Sequence, residues 1–243
     1  MRLITPRSFN ETNELQTEML KAIIFDCDGV IANSEPIHMS AFALVLAEEG
    51  INLTKEDYFD HYLALDDRGC FSKAFAQRGD VLSVDQQTEL IKRKASYVER
   101  DMRESLQLLP GSAELIRTAS QSYPLAVASG ALRHEIELIL DRGSLRDCFR
   151  VIVSAEDVER CKPDPEPFLK ALQLLNLSLD PIEPAECLVI EDSIHGVRAA
   201  GKAAMRCLAV TTSYPADKLT GAVRVVDSLA DISLREIEAL FEE

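Results

Sequence analysis

The amino-acid sequence predicts an α/β fold in which helices cover both faces of an open parallel sheet. Two observations lead to this prediction. Short apolar runs of strand length recur along the chain, and from the second run onward they alternate with segments of helical periodicity. Each run is continuously hydrophobic, which is typical of strands that are buried on both faces. Repeated units of strand, helix and strand indicate an open α/β sheet.

Six segments are the predicted strands of this sheet. They are residues 22–25, 125–128, 151–153, 187–190, 207–210 and, with a weaker pattern, 223–226. The gap between the first two segments is too long for a single crossover helix. Because it carries helix signals and no strong strand, we expect a separate helical unit within it.

Three helix signals lie in this long gap. Residues 36–49 have a helical pattern that stops at Gly50, and Thr54 resembles an N-cap followed by acidic residues in the first turn. The third signal is an apolar stripe at four, three and four spacing, formed by Ile91, Ala95, Val98 and Met102. We therefore predict an inserted helical domain over residues 34–107. Residues 1–33 and 108–243 then form the core domain, with residues 1–18 as a weakly structured leader.

The composition is that of a globular protein, and its net charge argues against nucleic acid or an anionic membrane as a partner. Hydrophobic residues make up 47% and charged residues 28% of the chain, which is ordinary. A net charge of −15 leaves no basic surface to bind nucleic acid or an anionic membrane. The six cysteines are scattered without a C-x-x-C pair, which favours reduced thiols. With no apolar run of signal-peptide or transmembrane type, we expect a soluble, cytoplasmic protein. A monomer is compatible with the sequence, which leaves the oligomeric state open.

Chemically active side chains follow four of the predicted strands. Ligands of open parallel sheets bind beyond the carboxyl ends of the strands, so these side chains are expected to meet at one edge. In chain order they belong to Asp26, Asp28, Ser129, Lys162, Glu191 and Asp192, and Gly130 follows Ser129 in the same loop. Each of them alone has an ordinary explanation, such as a turn, a helix cap or a surface lysine. Their joint occurrence favours a functional site.

The combination of several acids and one lysine has a physical rationale. Carboxylates clustered at one edge repel each other unless a cation or a proton is present. Oxygen ligands of this kind suit Mg²⁺, which a phosphate can help to coordinate. A carboxylate that approaches a phosphate meets a repulsion of about 4 kcal/mol per pair of unit charges at about 4 Å and an effective dielectric constant near 20. Mg²⁺ and Lys162 would offset this repulsion, so the set predicts phosphoryl transfer.

The same residues, in this order and spacing, resemble the motifs of the haloacid dehalogenase-like (HAD) superfamily. The closest resemblance is to the branch of β-phosphoglucomutase and the CbbY-like sugar-phosphate phosphatases, and it covers about residues 21–210. It implies a Rossmann-like core with a four-helix cap, which agrees with the fold expected from the periodicity.

The resemblance also implies a role for each matching position. Asp26 corresponds to the nucleophile that forms an aspartyl-phosphate, and Asp28 to the general acid and base. Ser129, Gly130 and Lys162 correspond to the part of the site that binds the phosphate, with Lys162 also orienting Asp26. These roles make the expected reaction the transfer of a phosphoryl group through a covalent intermediate.

A magnesium site is a further implication of the resemblance. Its expected environment is Asp26, the main-chain carbonyl of Asp28, Glu191 and Asp192. The acid at Asp28 also distinguishes among reactions, because family members that cleave carbon–halogen or carbon–phosphorus bonds lack an acid there. Phosphate esters therefore remain as the expected substrates.

Hydrolase and mutase are the two activities that the resemblance leaves open. Arg68, in a loop that aligns with the mutase's substrate-recognition loop, is expected to bind substrate, but Ala64 stands where the mutase has a lysine. Residues 33–35 read Asn-Ser-Glu, close to the phosphatase members. His38 either contacts the substrate or is structural. We therefore favour a Mg²⁺-dependent phosphatase of small phosphorylated metabolites such as sugar phosphates. A mutase is the alternative, and a catalytically silent binding protein on this fold is a lesser one.

Overall fold

A computed structural model describes residues 19–62 and 65–242. Over these residues the chain forms six β-strands and nine α-helices. The strands are β1 (Ala22–Phe25), β2 (Leu125–Ala128), β3 (Phe149–Val153), β4 (Cys187–Glu191), β5 (Arg206–Val210) and β6 (Arg224–Val226). The helices are α1 (Glu35–Glu48), α2 (Lys55–His61), α3 (Asp67–Gln77), α4 (Val84–Ser105), α5 (Ser112–Ala119), α6 (Arg133–Arg142), α7 (Glu166–Leu175), α8 (Ile194–Lys202) and α9 (Leu234–Ala239).

The strands form one parallel sheet in the order β3-β2-β1-β4-β5-β6. The first strand therefore lies between β2 and β4, with Phe25 paired to Val127 on one side and Ile190 on the other. The predicted α/β fold is confirmed. Three strands are longer than the sequence predicted, β4 and β5 by one residue each and β3 by two, because β3 begins at Phe149, which pairs with Leu125. The exposed Arg150 had interrupted its apolar pattern.

Helices cover both faces of this sheet, as the continuous hydrophobicity of the strands predicted. In β1, Ile23 and Phe25 belong to one buried apolar cluster, which includes residues of α5, α6 and α9. Ile24 belongs to a second cluster on the opposite face, which includes residues of α7 and α8. Because successive side chains of a strand point to opposite faces, a strand between two layers of helices has no polar face.

The four helices α1–α4 lie between β1 and α5 in the chain and form the helical cap. They have an apolar cluster of their own, in which the rings of Phe42 and Phe71 lie 5.0 Å apart. Thr54 caps α2 as predicted, since its side chain accepts a hydrogen bond from the Asp57 amide. Gly50 follows α1 with a φ of 72°, a conformation that glycine adopts without steric cost. The limits of 34 and 107 for the inserted domain stay a prediction.

The buried face of α4 differs in part from the predicted stripe. Val98 and Met102 are buried as expected, whereas Ile91 and Ala95 are only partly buried. The buried residues of this helix are Leu90, Lys94, Val98 and Met102. A charged residue therefore takes a place on the apolar face, which hydrophobic periodicity does not predict.

Two short extended segments connect the cap to the core. The Asn33 amide donates to the Gln107 carbonyl at 3.0 Å, and the Leu109 amide donates to the Ile31 carbonyl at 3.0 Å. The predicted leader, residues 1–18, and Ala64 lie outside the described residues. Within the described part of the chain, no helix has the length and apolarity that crossing a membrane requires.

Candidate active site

The loop after β1 carries Asp26 and folds against Asp192. The Asp26 amide donates to the Ile190 carbonyl at 2.9 Å, which extends the pairing of β1 with β4 beyond the strand. Gly29 has a φ of 74°, and a Cβ added to it would lie 1.9 Å from Asp192 Oδ2. Only glycine combines this backbone conformation with such a close approach to a carboxylate.

Lys162 lies between two of the predicted acids. Its Nζ is 2.8 Å from Asp26 Oδ1 and 2.6 Å from Glu191 Oε1. The Nζ also lies 4.9 Å from the centre of the Phe168 ring. Burial alone would lower the pKa of Lys162, but its ion pairs with the two carboxylates outweigh burial and raise it. Lys162 therefore keeps its positive charge.

Glu191 is fully buried, and the protein supplies donors to both of its oxygens. Oε1 accepts from Lys162, while Oε2 accepts from the Asp192 amide, the Ser193 amide and the Ser193 hydroxyl, each at 2.9 Å. A Cβ added to Gly196, in the first turn of α8, would lie 1.8 Å from this carboxylate. The glycine thus leaves the space that Glu191 occupies.

Asp192 and its neighbours form a buried acidic cluster. Ligand oxygens of Asp26, Glu191 and Asp192 lie within 4.8 Å of one another, and all three residues are buried. Asp192 accepts a hydrogen bond from the Ser213 hydroxyl. Burial, and then the charges of Glu191 and Asp26, raise the pKa of Asp192 well above its usual range. A cluster of oxygen donors with excess negative charge fits a hard divalent cation.

The pKa of Asp26 reflects the same excess of acids. Burial is the largest influence and raises this pKa from 3.8 to about 7, assisted by the charges of Glu191 and Asp28. Lys162 acts in the opposite direction. One ammonium therefore does not balance the acids around Asp26, and a further cation would lower the pKa of the Asp26 carboxyl.

Asp28 and Ser129 are in contact with each other and line the same cavity as Asp26. The Ser34 hydroxyl donates to Asp28 Oδ1, and the side chain of Ser129 also hydrogen-bonds to Asp28. Burial raises the pKa of Asp28 despite these hydrogen bonds. The Ser129 amide donates to the Val153 carbonyl at 3.0 Å, so the loop after β2 is held at the end of β3.

Two adjoining cavities open at this edge of the sheet. The first has a volume of about 510 Å³, and its lining includes Asp26, Lys162 and Asp192. The second has a volume of about 400 Å³ and lies between the cap and the loop after β2; we name it the cap-side cavity. The residues that line both cavities mark the junction between the acidic cluster and the cap. They are Asp28 and Gly130 of the core loops and Glu35, Leu65 and Asp66 of the cap.

The structure brings the predicted core residues together and places the two predicted cap residues farther out. Asp26, Asp28, Ser129, Gly130, Lys162 and Asp192 line the first cavity, and Glu191 lies buried beneath it. His38 and Arg68 line only the cap-side cavity. Burial lowers the pKa of His38 to about 3, and the charge of Lys94 contributes in the same direction. His38 is therefore uncharged near neutral pH.

Three residues near these cavities were missed by sequence reasoning. Lys94 lies 2.6 Å from Asp67 and 4.3 Å from the centre of the Phe42 ring. A lysine one position from an apolar helical stripe was a signal that could have identified it. Ser213 and Glu135 come from a loop after β5 and from α6, and no local pattern distinguishes them from ordinary surface residues.

The chain is similar to known proteins over most of its length. The sequence profile described as haloacid dehalogenase-like hydrolase matches residues 23–210. Protein CbbY of Rhodobacter capsulatus is 33% identical over 202 residues, which cover 80% of this chain and 87% of that protein. Hexitol phosphatase B of Escherichia coli K12 is 28% identical over 220 residues, covering 90% of this chain and 93% of that protein.

Solved structures agree with these sequence matches. A crystal structure of a CbbY mutant from Rhodobacter sphaeroides in complex with xylulose 1,5-bisphosphate has a TM-score of 0.78 and 28% sequence identity. The alignment covers 88% of this chain and 97% of that one. Fold, motif order and sequence similarity thus lead to the same assignment. The chain belongs to the haloacid dehalogenase-like hydrolase family, in the branch of CbbY and β-phosphoglucomutase.

Proposed function

We propose that this hydrolase is a Mg²⁺-dependent phosphatase of small phosphorylated metabolites, sugar and polyol phosphates among them, and that Asp26 is its nucleophile. The observation that carries the proposal is the position of the Asp26 carboxylate. It contacts the ammonium of Lys162, belongs to the buried acidic cluster with Glu191 and Asp192, and lines an open cavity. A relative with 28% identity is named as a phosphatase of hexitols, which supports the substrate class.

Asp26 attacks the phosphorus of the bound ester, and the phosphoryl group moves to its carboxylate. Lys162 contacts Asp26 directly and is positioned to hold a phosphate oxygen at the same time. Because Lys162 also pairs with Glu191, its ammonium stays at the end of β4 while the reaction proceeds. Its charge offsets the repulsion between carboxylate and phosphate, about 4 kcal/mol per pair of unit charges at about 4 Å.

The metal would be held by Asp26, Asp192 and the main-chain carbonyl of Asp28. Bound Mg²⁺ would supply positive charge that stabilises the transferring phosphoryl group. Glu191 is better suited to orientation than to direct coordination, because both of its oxygens already accept hydrogen bonds from the protein. Ser213 binds one oxygen of Asp192 and leaves the other for the metal.

Asp28 acts as the general acid and base. Its raised pKa allows it to carry the proton that the leaving oxygen requires, and the same carboxylate then accepts a proton from the attacking water. The hydrogen bond from Ser34 fixes the orientation of this carboxyl group. Asp28 also lies where the two cavities join, which is where the ester oxygen of a bound substrate would be.

The cap, over residues 34–107, is proposed to close over the site and exclude bulk water. A cytoplasmic location is proposed as well, because all six cysteines are free thiols, as expected in a reducing compartment.

Phosphate release from a panel of metabolite phosphates, with Mg²⁺ and with EDTA, tests the proposal. We expect Mg²⁺-dependent release from several monoesters by the native protein and none by Asp26→Asn. Asp147→Asn is the matched control, because Asp147 lies in a helical turn away from both cavities and should tolerate the same change. Undiminished turnover by Asp26→Asn would show that Asp26 is not the nucleophile.

If β-glucose 1-phosphate is converted to glucose 6-phosphate only with a bisphosphate primer, the enzyme is a mutase instead. A protein with neither activity and no stabilisation by Mg²⁺ would be the silent binding protein.

A further inference from the structure

The cap-side cavity is the place for the part of the substrate that is not phosphate. It joins the first cavity at Asp28 and Gly130, so an ester whose phosphate lies beside Asp26 extends its leaving group into it. Its volume of about 400 Å³ is large enough for a sugar or a polyol. The charges that line it therefore decide which leaving groups fit.

Positive charge is scarce in this cavity. Its two formal cations are Arg68 and Lys94. The ammonium of Lys94 is already paired with Asp67 at 2.6 Å, so it is neutralised within the protein. His38 is held uncharged by burial. Among the described residues of the lining, Arg68 is the one basic group without an ion pair to an acid.

Acidic side chains outnumber basic ones in the lining of the cap-side cavity. Five carboxyl groups line the cavity, namely Asp28, Glu35, Asp66, Asp67 and Glu135, and four of them remain after Asp67 is matched with Lys94. Their hydrogen bonds hold them in place, because Glu35 accepts from the Tyr58 hydroxyl and Asp66 accepts from the Gly69 amide at 2.7 Å. A second phosphate in this cavity would therefore enter a field of the same sign as its own charge.

The core side of the cavity is apolar. Ala131 and Leu132 form this wall, and the Leu132 side chain is exposed to the cavity. The neighbouring Arg133 directs its guanidinium elsewhere, to the Ile152 carbonyl at 3.1 Å and to Asp157. Behind Leu132, the buried Glu135 accepts a hydrogen bond from the Leu132 amide at 3.0 Å. In the described part of the chain, this wall thus offers no basic side chain to a second phosphate.

We propose that the enzyme selects monophosphate esters whose leaving group is uncharged and carries hydroxyl groups, and that it rejects bisphosphates. Leu132 and Glu135 are the residues of the core wall that determine this specificity. The preference rests on the proposed phosphatase activity and narrows its substrate class. It separates this chain from the CbbY of Rhodobacter sphaeroides, whose mutant was crystallised with xylulose 1,5-bisphosphate.

Matched pairs of substrates test the preference. Glucose 6-phosphate with glucose 1,6-bisphosphate, fructose 1-phosphate with fructose 1,6-bisphosphate, and ribulose 5-phosphate with ribulose 1,5-bisphosphate each differ by one phosphate. We expect kcat/KM to be at least about tenfold higher for the monophosphate in every pair that is turned over, because the second phosphate meets charges of its own sign. Equal or faster turnover of bisphosphates would overturn the inference and leave the phosphatase proposal intact. If neither member of any pair, nor any other ester, is hydrolysed, the inferred preference and the phosphatase proposal both fail.

Two variants of the core wall identify the residues responsible. Leu132→Lys adds a cation to the wall, and Glu135→Gln removes a charge while keeping an acceptor for the Leu132 amide. Either change should raise the ratio of bisphosphate to monophosphate kcat/KM by at least about fivefold. Leu177→Lys and Glu137→Gln are the matched controls, because both residues are exposed and lie outside the cavity. If the ratio of bisphosphate to monophosphate kcat/KM stays at the native value in both wall variants, Leu132 and Glu135 do not determine the specificity.

Discussion

Replacing Gly196 by alanine should destabilise the protein, although the same change in most helices is stabilising. Gly196 lies in the first turn of α8, and alanine is favoured over glycine inside helices by up to about 1 kcal/mol. Here an added Cβ would lie 1.8 Å from both Cδ and Oε1 of Glu191 and 2.3 Å from Oε2. The sign of the effect therefore depends on whether Glu191 can move.

The structure indicates that Glu191 has little freedom to move. It is fully buried and accepts four hydrogen bonds, one of them from Lys162. Forcing a methyl group into a packed interior costs about 1–3 kcal/mol. Displacing the carboxylate from a charged donor costs a further 1.5–3 kcal/mol or so. After the gain in helix propensity of about 1 kcal/mol is subtracted, we expect a net loss of about 1.5–5 kcal/mol.

Urea denaturation followed by circular dichroism measures this loss. The midpoint should fall while the m-value stays unchanged, since the surface exposed on unfolding is the same. The melting temperature should fall by about 2–4 °C for each kcal/mol. Gly201→Ala is the control within the same helix, because nothing lies within 4 Å of an added Cβ there. This control should leave stability unchanged or raise it.

Comparison of Gly196→Ala with Gly201→Ala tests whether Glu191 is held in place. If Gly196→Ala is as stable as Gly201→Ala, then Glu191 relaxes freely and the reasoning from its hydrogen bonds is wrong. If Gly196→Ala is destabilised but binds Mg²⁺ with native affinity, Glu191 has no influence on the metal, which contradicts its proposed role in orienting the site.

Three further predictions concern the metal, the general acid and the pH dependence of stability. Ser213→Ala should raise by about tenfold the Mg²⁺ concentration that gives half of the thermal stabilisation, because Asp192 loses its hydrogen bond. Ser213→Thr should restore the native value, and an unchanged midpoint in the alanine variant would exclude the positioning role. Asp28→Asn should slow turnover by about 10²–10⁴-fold while Mg²⁺ still stabilises the protein; a rate within a few-fold of native would exclude Asp28 as the acid. His38 has a folded pKa of about 3, below its ordinary 6.5, so the unfolded chain binds the proton more tightly and stability is lost as pH falls from about 6.5. His38→Gln should reduce the loss in urea midpoint between pH 7.5 and 5, and an equal loss in both proteins would contradict the assignment.

The core part of the candidate site was predictable because it depends on local sequence and one topological rule. Each group follows a buried strand directly or within a short loop, and parallel strands bring their carboxyl ends to the same edge. Asp26 and Asp192 needed no further information to be placed together, and their oxygens lie within 4.8 Å of one another along with an oxygen of Glu191. The cap was predictable for a similar reason, since helix signals without a strong strand fill the long gap between the first two strands.

Other parts of the site depend on contacts between segments that are far apart in the sequence. Ser213 reaches Asp192 through a loop after β5, and Lys94 is buried against Asp67 and Phe42 of other cap helices. Ser213 carries no periodic signal, because a single polar contact does not recur along an element. The position of Lys94 beside the apolar stripe of α4 suggests its burial but does not reveal its partners. The sheet, the cap and the residues at the strand ends can be predicted from the amino-acid order, since they follow from hydrophobic periodicity and chain connectivity. The tertiary structure alone decided the charge balance of the cap-side cavity, because that balance is set by which side chains the packing of the cap against the core turns inward.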